Sequence, residues 1–128
     1  MHILMCNDDG ILADGLRHLA SYLSQYYRIT VVAPANEQSA KSHALTTEVP
    51  LKLDACNGED ENPRLYALTG TPSDCMKFGL SYLLADDMPD LVISGINHGF
   101  NLGSDVLYSG TVSAAMESAF YGIPGLAL

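Results

Sequence analysis

Two adjacent carboxylates, Asp8 and Asp9, follow a short apolar run near the start of this 128-residue sequence. Successive side chains of a β-strand point to opposite faces, so both acids can serve one site only if the strand ends before them. Gly10 permits a turn at that point, and Asn7 and Gly10 are predicted to shape it. A hard divalent cation with oxygen ligands would relieve the repulsion between neighbouring carboxylates. Asn-Asp-Asp-Gly is also ordinary turn chemistry, so these four residues alone leave both interpretations open.

The composition limits what such a site can attract. Fifteen acidic and six basic residues give a formal net charge of −9, and the basic residues are scattered along the chain. Proteins that bind nucleic-acid polymers carry a basic patch or stripe, which this sequence lacks. If the substrate is a small anion such as a phosphate ester, a bound cation has to reverse the local charge.

The cellular compartment is predicted from the lack of membrane and export signals and from the pattern of cysteines. No apolar run approaches the roughly 20 residues of a membrane helix, so no membrane partner is expected. No export signal is visible at the N-terminus. The three cysteines, Cys6, Cys56 and Cys75, are odd in number and lack metal-type spacing. They are typical of free thiols in a reducing cytoplasm, where we expect the protein to act.

Hydrophobic periodicity predicts one α/β domain over residues 1–128 with mainly parallel strands. Buried strands are predicted at residues 2–6, 28–33 and 90–94, with another beginning at 125–128. Helices are predicted to begin at Asp14 as N-cap, at Thr71-Pro72-Ser73-Asp74 and at Ser109-Gly110-Thr111. The last helix carries the apolar residues Val112, Ala115, Met116, Ala119 and Phe120 and is predicted to stop at Gly122 and Pro124. Residues 44–68 contain two short strand-like runs, which we interpret as a β excursion leaving the main sheet.

Three polar loops follow predicted parallel strands, at residues 7–10, 34–42 and 95–105. Ligand sites of open α/β sheets form outside the carboxyl edge of the strands, so these loops are expected to converge. Carboxylate, hydroxyl and amide oxygens from Asp8, Asp9, Ser39 and Asn97 favour magnesium, manganese or calcium over zinc. The helix that begins at residues 109–111 offers free N–H groups to an anion, although a plain N-cap has the same residues. A metal beside an anion pocket suggests phosphoester hydrolysis.

Five motifs stand in the order found in one protein family. They are Asn7-Asp8-Asp9-Gly10, Val32-Ala33-Pro34 with Ser39 downstream, Gly70-Thr71-Pro72-Ser73-Asp74-Cys75, Ser94-Gly95-Ile96-Asn97-His98-Gly99 with Asn101-Leu102-Gly103, and Tyr108-Ser109-Gly110-Thr111-Val112. The chain resembles the SurE family, stationary-phase survival proteins that are metal-dependent 5′-nucleotidases. The resemblance implies a Rossmann-like three-layer α/β/α core. It also implies hydrolysis of nucleoside 5′-monophosphates, extending to 3′-nucleotides and short polyphosphate, by cytoplasmic dimers or tetramers.

The resemblance also implies roles for particular residues. The positions that match the family's metal ligands are Asp8, Asp9, Ser39 and Asn97. They would hold one Mg²⁺ or Mn²⁺ per subunit, with Ca²⁺ as a substitute in crystals. The positions where phosphate is expected are Asn101, Ser109, Gly110 and Thr111. Asp8 and Asp9 are the predicted catalytic residues, and the sequence leaves open whether one of them acts as base or nucleophile.

Three other interpretations compete with a working nucleotidase. A signalling receiver domain also opens with paired acids, but it needs a late lysine, and no lysine or arginine follows Lys77. A haloacid-type phosphatase needs two aspartates separated by one residue, whereas Asp8 and Asp9 are adjacent. SurE proteins continue well beyond the position that matches Leu128, so we expect this chain to lack the family's C-terminal part. The third interpretation is therefore a truncated, inactive module that binds metal or nucleotide.

Overall fold

The computed structural model, which describes residues 1–38, 43–99 and 101–128, contains a six-stranded sheet. The strands are β1 (His2–Cys6), β2 (Arg28–Pro34), β3 (Leu53–Ala55), β4 (Arg64–Leu68), β5 (Leu91–Ser94) and β6 (Gly125–Ala127). The helices are α1 (Asp14–Leu23), α2 (Pro72–Phe78), which continues as a π-helical turn (Gly79–Leu83), a 3-10 helix (Gly103–Tyr108) and α3 (Gly110–Ala119). Within the described ranges, none of these helices has the length and apolar character needed to cross a membrane.

The sheet has the order β3-β4-β2-β1-β5-β6, with β1 and β2 at its centre. β1 pairs in parallel with β2 and β5, and the outer pairs β2–β4 and β5–β6 are parallel as well. One apolar cluster packs α1 against one face of the sheet through Leu16 and Ala20. A second cluster packs α2 and α3 against the other face through Met76 and Ala114. The predicted Rossmann-like α/β/α fold is therefore confirmed.

The placement of residues 44–68 outside the main sheet is wrong. β4 pairs in parallel with β2 along its whole length, from Thr30 opposite Arg64 to Pro34 opposite Leu68. β3 then pairs antiparallel with β4 and forms the edge of the same sheet. The two apolar runs were recognisable in the sequence, but their partner was not. Strand pairing depends on contacts between segments distant in sequence, which a local pattern does not specify.

Helix α1 begins at Asp14, one residue earlier than a cap at Asp14 would allow. Ala13 is the N-cap, and no side-chain hydrogen bond caps the helix. Asp14 is instead the first helical residue, where its negative charge interacts favourably with the N-terminal end of the helix dipole. The predicted role of Asp14 as the N-cap is therefore wrong, whereas the buried face with Leu16 and Ala20 is as expected.

Helix α3 does not bury its largest apolar residues. Met116 and Phe120 are 53% and 77% exposed, whereas the small residues on the other face lie against the sheet and α2. These buried residues are Gly110, Thr111, Ser113, Ala114, Glu117 and Ser118. Small side chains allow the helix to approach the sheet closely, and the resulting contacts outweigh the preference for burying its larger apolar residues.

Helix α2 begins with the capping box that the sequence predicted. The Thr71 hydroxyl accepts a hydrogen bond from the Asp74 N–H at 3.1 Å, and the Asp74 carboxylate accepts one from the Thr71 N–H at 2.9 Å. The same carboxylate also accepts hydrogen bonds from the N–H and the hydroxyl of Thr46, at 3.0 Å and 2.6 Å. Asp74 thus ties residue 46 to the start of α2.

Asp74→Asn is expected to destabilise the protein in a pH-dependent way. Burial alone would raise the pKa of Asp74, but the hydrogen bonds from Thr46 and Thr71 outweigh it and hold the pKa below its ordinary value. The ionised carboxylate therefore stabilises the folded state above about pH 4, and this contribution is lost as the pH falls through the folded-state pKa. We expect D74N to lose about 1–3 kcal/mol of unfolding free energy at pH 7 and less at pH 3, measured by urea denaturation.

The exposed Asp86 provides the matched control for this measurement. D86N should leave the unfolding free energy nearly unchanged at both pH values. An equal loss for D74N at pH 7 and pH 3 would contradict the role assigned to the Asp74 charge.

Candidate functional site

A buried asparagine closes the turn that carries the two acids. Asn7 is fully buried directly after β1, and its side-chain oxygen accepts a hydrogen bond from the Gly10 N–H at 3.1 Å. Its side-chain amide donates to the Gly10 carbonyl at 3.0 Å. Gly10 has φ +102°, a conformation that residues with a Cβ rarely adopt. Asp8 and Asp9 therefore leave the strand geometry, and the alternation of strand faces no longer separates them.

This turn is joined to the loop after β2. The Gln38 N–H donates to the Asp8 carbonyl at 2.8 Å, and the Ile11 N–H donates to the Pro34 carbonyl at 2.8 Å. The two carboxyl ends of β1 and β2 thus meet, as the parallel-sheet argument predicted. Ser39 follows Gln38 in the sequence, but it lies outside the described residues, so its predicted role as a metal ligand stays a prediction.

Three oxygen-bearing side chains from distant parts of the chain meet beside the turn. The Thr111 hydroxyl donates a hydrogen bond to Asp8 Oδ1 at 2.7 Å. Thr111 Oγ1 also lies 3.3 Å from Asn97 Oδ1. The side-chain amide of Asn97 donates to the Gly99 carbonyl at 3.0 Å, and this contact directs its oxygen towards Thr111. The structure therefore brings together Asp8, Asn97 and Thr111.

The start of α3 lies directly against Asp8. A Cβ added at Gly110 would lie 2.8 Å from Asp8 Cβ and 3.2 Å from Asp8 Oδ2, so only glycine fits at this contact. The Ser109 hydroxyl caps the helix by accepting from the Val112 N–H at 3.2 Å. The cap uses only a lone pair of this oxygen, so the predicted contribution of Ser109 to phosphate binding stays a prediction. The N–H groups of Gly110 and Thr111 belong to the first turn, which has no intrahelical acceptors for them.

Asp9 differs from Asp8 in its surroundings. It is partly exposed, whereas Asp8 is 6% exposed. Burial and the neighbouring negative charge of Asp8 raise the pKa of Asp9 above its ordinary value, and a hydrogen bond with the His98 backbone partly opposes that rise. The two predicted catalytic acids are thus close enough to repel each other, and the loop after β5 contacts the second one.

The chemistry of these groups fits a hard divalent cation. Three oxygen atoms lie together here: Asp8 Oδ1, Thr111 Oγ1 and Asn97 Oδ1. Among these three atoms the Thr111 hydroxyl supplies the single hydrogen, so their lone pairs concentrate negative potential at this point. Among the described residues, no lysine or arginine forms an ion pair with Asp8 or Asp9. The described residues also contain no cluster of three or more His, Cys, Asp and Glu side chains suited to a metal. A cation here would therefore need amide and hydroxyl oxygens beside the carboxylates, which Mg²⁺ and Mn²⁺ accept.

A cavity of about 260 Å³ opens beside Thr111. Its lining includes Asn101 and Thr111, two of the predicted phosphate-binding residues, together with the apolar Leu102 and Val112. Asn101 is half-buried in the wall of this cavity. The structure therefore brings Asn101 and Thr111 to one cavity, whereas Ser109 and Gly110 are not part of its lining.

Glu117 is a buried acid near this site that no sequence pattern identified. Its carboxylate lies 2.6 Å from His43 Nε2, and the Glu117 side chain is only 10% exposed. The contact between Glu117 and His43 joins α3 to a residue that follows Ser39 closely in the sequence. Glu117 is the sole ionisable residue of α3, which is the one signal in the sequence that could have singled it out.

Comparisons with known proteins identify the family and agree with the fold. The family described as "Survival protein SurE" matches residues 3–128. The 5′-nucleotidase SurE of Thermoanaerobacter sp. (strain X514) is 55% identical over 128 residues, which are 100% of this chain and 50% of that protein. The 5′-nucleotidase SurE of Vibrio vulnificus (strain YJ016) is 50% identical over 127 residues, 99% of this chain and 48% of that protein.

A solved structure gives the same result. The crystal structure of the SurE protein from Aquifex aeolicus has a TM-score of 0.85 and 42% sequence identity, over 99% of this chain and 50% of that one. The chain thus spans about half the length of the relatives it matches. Because the family match covers residues 3–128 and the fold is shared, the resemblance inferred from the five motifs is confirmed, and the chain belongs to the SurE family.

Proposed function

We propose that this protein is a divalent-metal-dependent phosphomonoesterase that converts nucleoside 5′-monophosphates to nucleoside and phosphate. The observation that supports it most is the meeting of Asp8, Asn97 and the start of α3 at the carboxyl edge of the sheet. An acidic oxygen cluster beside free helix N–H groups combines a site for a cation with a site for an anion. Relatives named 5′-nucleotidase SurE support the same activity.

Asp8, Asp9, Ser39 and Asn97 are the proposed ligands of the cation, Mg²⁺ or Mn²⁺. When bound, the cation supplies positive charge for the phosphate and lowers the pKa of a bound water. Asp8 and Asp9 contribute the negative charge that holds it, and Asn97 contributes a neutral oxygen. In the overall reaction, an oxygen of water forms a new bond to phosphorus, the bond from phosphorus to the 5′ oxygen breaks, and the nucleoside leaves with a proton.

Asn101 and the start of α3 are proposed to orient the phosphate. The backbone N–H groups of Gly110 and Thr111 can donate to phosphate oxygens, and the helix dipole favours negative charge there. Asn101, which lines the same cavity as Thr111, adds a side-chain amide. Donors arranged in advance around the phosphate stabilise the charge that develops on its oxygens during hydrolysis.

Phosphate release from AMP and GMP by this chain tests the proposal. We expect release with Mn²⁺ or Mg²⁺, none after removal of metal by EDTA, and recovery when the metal is restored. Parallel assays with 3′-AMP and tripolyphosphate measure the proposed extension to 3′-nucleotides and short polyphosphate. Absence of metal-dependent release from AMP and GMP would contradict the proposed activity.

A second candidate function is a metal- or nucleotide-binding module without catalytic activity. The meeting of Asp8, Asn97 and Thr111 supports cation binding by itself, whether or not hydrolysis follows. Binding of Mn²⁺ without release of phosphate would support this alternative.

The proposal also concerns the state and location of the protein. We propose a cytoplasmic homo-oligomer of two or four chains, because the family resemblance implies such assemblies. The three cysteines, all of them free, are consistent with a reducing compartment.

A further inference from the structure

One buried hydroxyl contacts the carboxylate at the centre of the site. Thr111 is fully buried, and its hydroxyl donates to Asp8 Oδ1 at 2.7 Å. A threonine hydroxyl has a single hydrogen, so this donation leaves only lone pairs facing Asn97 Oδ1, 3.3 Å away. The hydroxyl therefore cannot donate to a phosphate oxygen unless the bond to Asp8 is broken.

Breaking that bond would be unfavourable. Asp8 is 6% exposed, so water cannot easily replace a lost donor to its carboxylate. Hydrogen bonds to ionised groups are stronger than neutral ones, and a buried acceptor left without its partner is costly. The hydroxyl of Thr111 thus belongs to Asp8, whereas its backbone N–H remains at the open start of α3.

The backbone of α3 limits the position of Asp8 from another direction. There is no room for a Cβ between residue 110 and Asp8, since the added atom would lie 2.8 Å from Asp8 Cβ. Asp8 is consequently held by a hydrogen bond to one carboxylate oxygen and by close packing at its Cβ. Both contacts come from neighbouring residues of one helix, so the orientation of the carboxylate follows the position of α3.

We propose that Thr111 is a positioning residue that holds Asp8 for the divalent cation, rather than a side-chain ligand of the phosphate. This inference rests on the proposed function and assigns the Thr111 side chain to the cation half of that site. Groups that orient metal ligands typically change metal affinity by about 10–100-fold when they are removed. Thr111 should therefore affect cation binding before any substrate is present.

Isothermal titration of the full chain with Mn²⁺ tests this inference without requiring activity. Thr111→Val replaces the hydroxyl by a methyl group of similar size, and we expect it to weaken Mn²⁺ binding about 10–100-fold. Thr111→Ser keeps the hydroxyl and should bind Mn²⁺ nearly as the wild type does. Because T111V could fold poorly, T111S and Thr111→Ala are compared as a second pair, and the same loss is expected for T111A.

A matched control lies in the central strand β2. Thr30 is also fully buried, and its hydroxyl lies 3.0 Å from His2 Nε2, far in sequence from the acidic turn. Thr30→Val removes a buried hydroxyl with a hydrogen-bonding partner, but it should leave Mn²⁺ affinity unchanged. Equal weakening by T30V and T111V would attribute the effect to general destabilisation and overturn the positioning role.

Three further outcomes distinguish a failure of this inference from a failure of the proposed function. If the wild type binds Mn²⁺ and T111V and T111A bind it equally well, the positioning role is overturned and the proposed function stands. Unchanged Mn²⁺ binding with weaker inhibition by inorganic phosphate would assign the hydroxyl to the phosphate instead. If the wild type neither binds Mn²⁺ nor releases phosphate, the proposed function itself fails.

Discussion

Replacing Asp8 by Asn is expected to reduce metal-dependent phosphate release by about 100-fold or more. The change removes a negative charge from the oxygen cluster while keeping the size of the side chain. Since groups that merely orient a metal ligand are worth about 10–100-fold in affinity or activity, loss of a ligand carboxylate should cost at least that much. Asp9→Asn should have a comparable effect, because both acids supply charge for the cation. Phosphate release from AMP at saturating Mn²⁺ measures both variants.

A third acid serves as the control for this experiment. Asp14 is exposed in the first turn of α1, and Asp14→Asn should keep wild-type activity. Folding of D8N and D9N is checked by circular dichroism, so that lost activity is not confused with unfolding. Near-normal, metal-dependent activity in both variants would show that these acids do not hold the cation.

Asn7→Ala is expected to destabilise the whole domain as well as the acidic turn. The fully buried Asn7 side chain forms two hydrogen bonds with the backbone of Gly10. Alanine would leave the buried Gly10 N–H without its partner, at a cost of about 1–3 kcal/mol. It would also remove one of two hydrogen bonds to the Gly10 carbonyl, which still accepts from the Ala13 N–H. We expect a loss of about 2–4 kcal/mol in the free energy of urea unfolding. Mn²⁺ affinity should fall as well, because the turn that directs Asp8 and Asp9 loses its closure.

Asn57 makes a closely similar pair of contacts away from the site. Its amide donates to the Pro63 carbonyl at 2.8 Å, and its oxygen accepts from the Leu65 N–H at 2.9 Å. Asn57→Ala should reduce stability by a smaller amount, because this loop is less buried, and it should leave Mn²⁺ affinity unchanged. If N57A weakened Mn²⁺ binding as much as N7A, the effect would come from lost stability rather than from the turn.

Local chemistry made several elements predictable. The capping box at Thr71 and Asp74 depends on residues three positions apart. The cap at Ser109 likewise depends on a hydrogen bond from the N–H of Val112. Both caps are therefore recognisable in the sequence itself. The central strands β1, β2 and β5 are continuous apolar runs, which is typical of strands buried on both faces. The convergence of their following loops was predictable because parallel strands share one carboxyl edge.

Other features depend on contacts that local patterns do not encode. The strand β4 was visible as an apolar run, whereas the predicted run at residues 51–53 overlaps β3 only at Leu53. Pairing of β4 with β2 and of β3 with β4 decided that both strands belong to the main sheet. The buried side of α3 is formed by its smaller residues rather than its larger apolar ones, because small side chains allow close packing. The 3-10 helix at Gly103–Tyr108 was not predicted within a loop rich in glycine and asparagine.

The sequence by itself determined the family, the alternation of strands and helices, and the edge of the sheet where Asp8 and Asp9 lie. These features follow from residue types and short spacings, which reflect interactions between residues close in sequence. Only the tertiary structure decided that the Thr111 hydroxyl bonds to Asp8, a residue 103 positions earlier in the chain. A threonine hydroxyl at a helix start is equally suited to donate to a bound phosphate or to a carboxylate of the protein. The packing of α3 against the acidic turn selected the carboxylate, because it left that buried oxygen with the threonine hydroxyl as its donor.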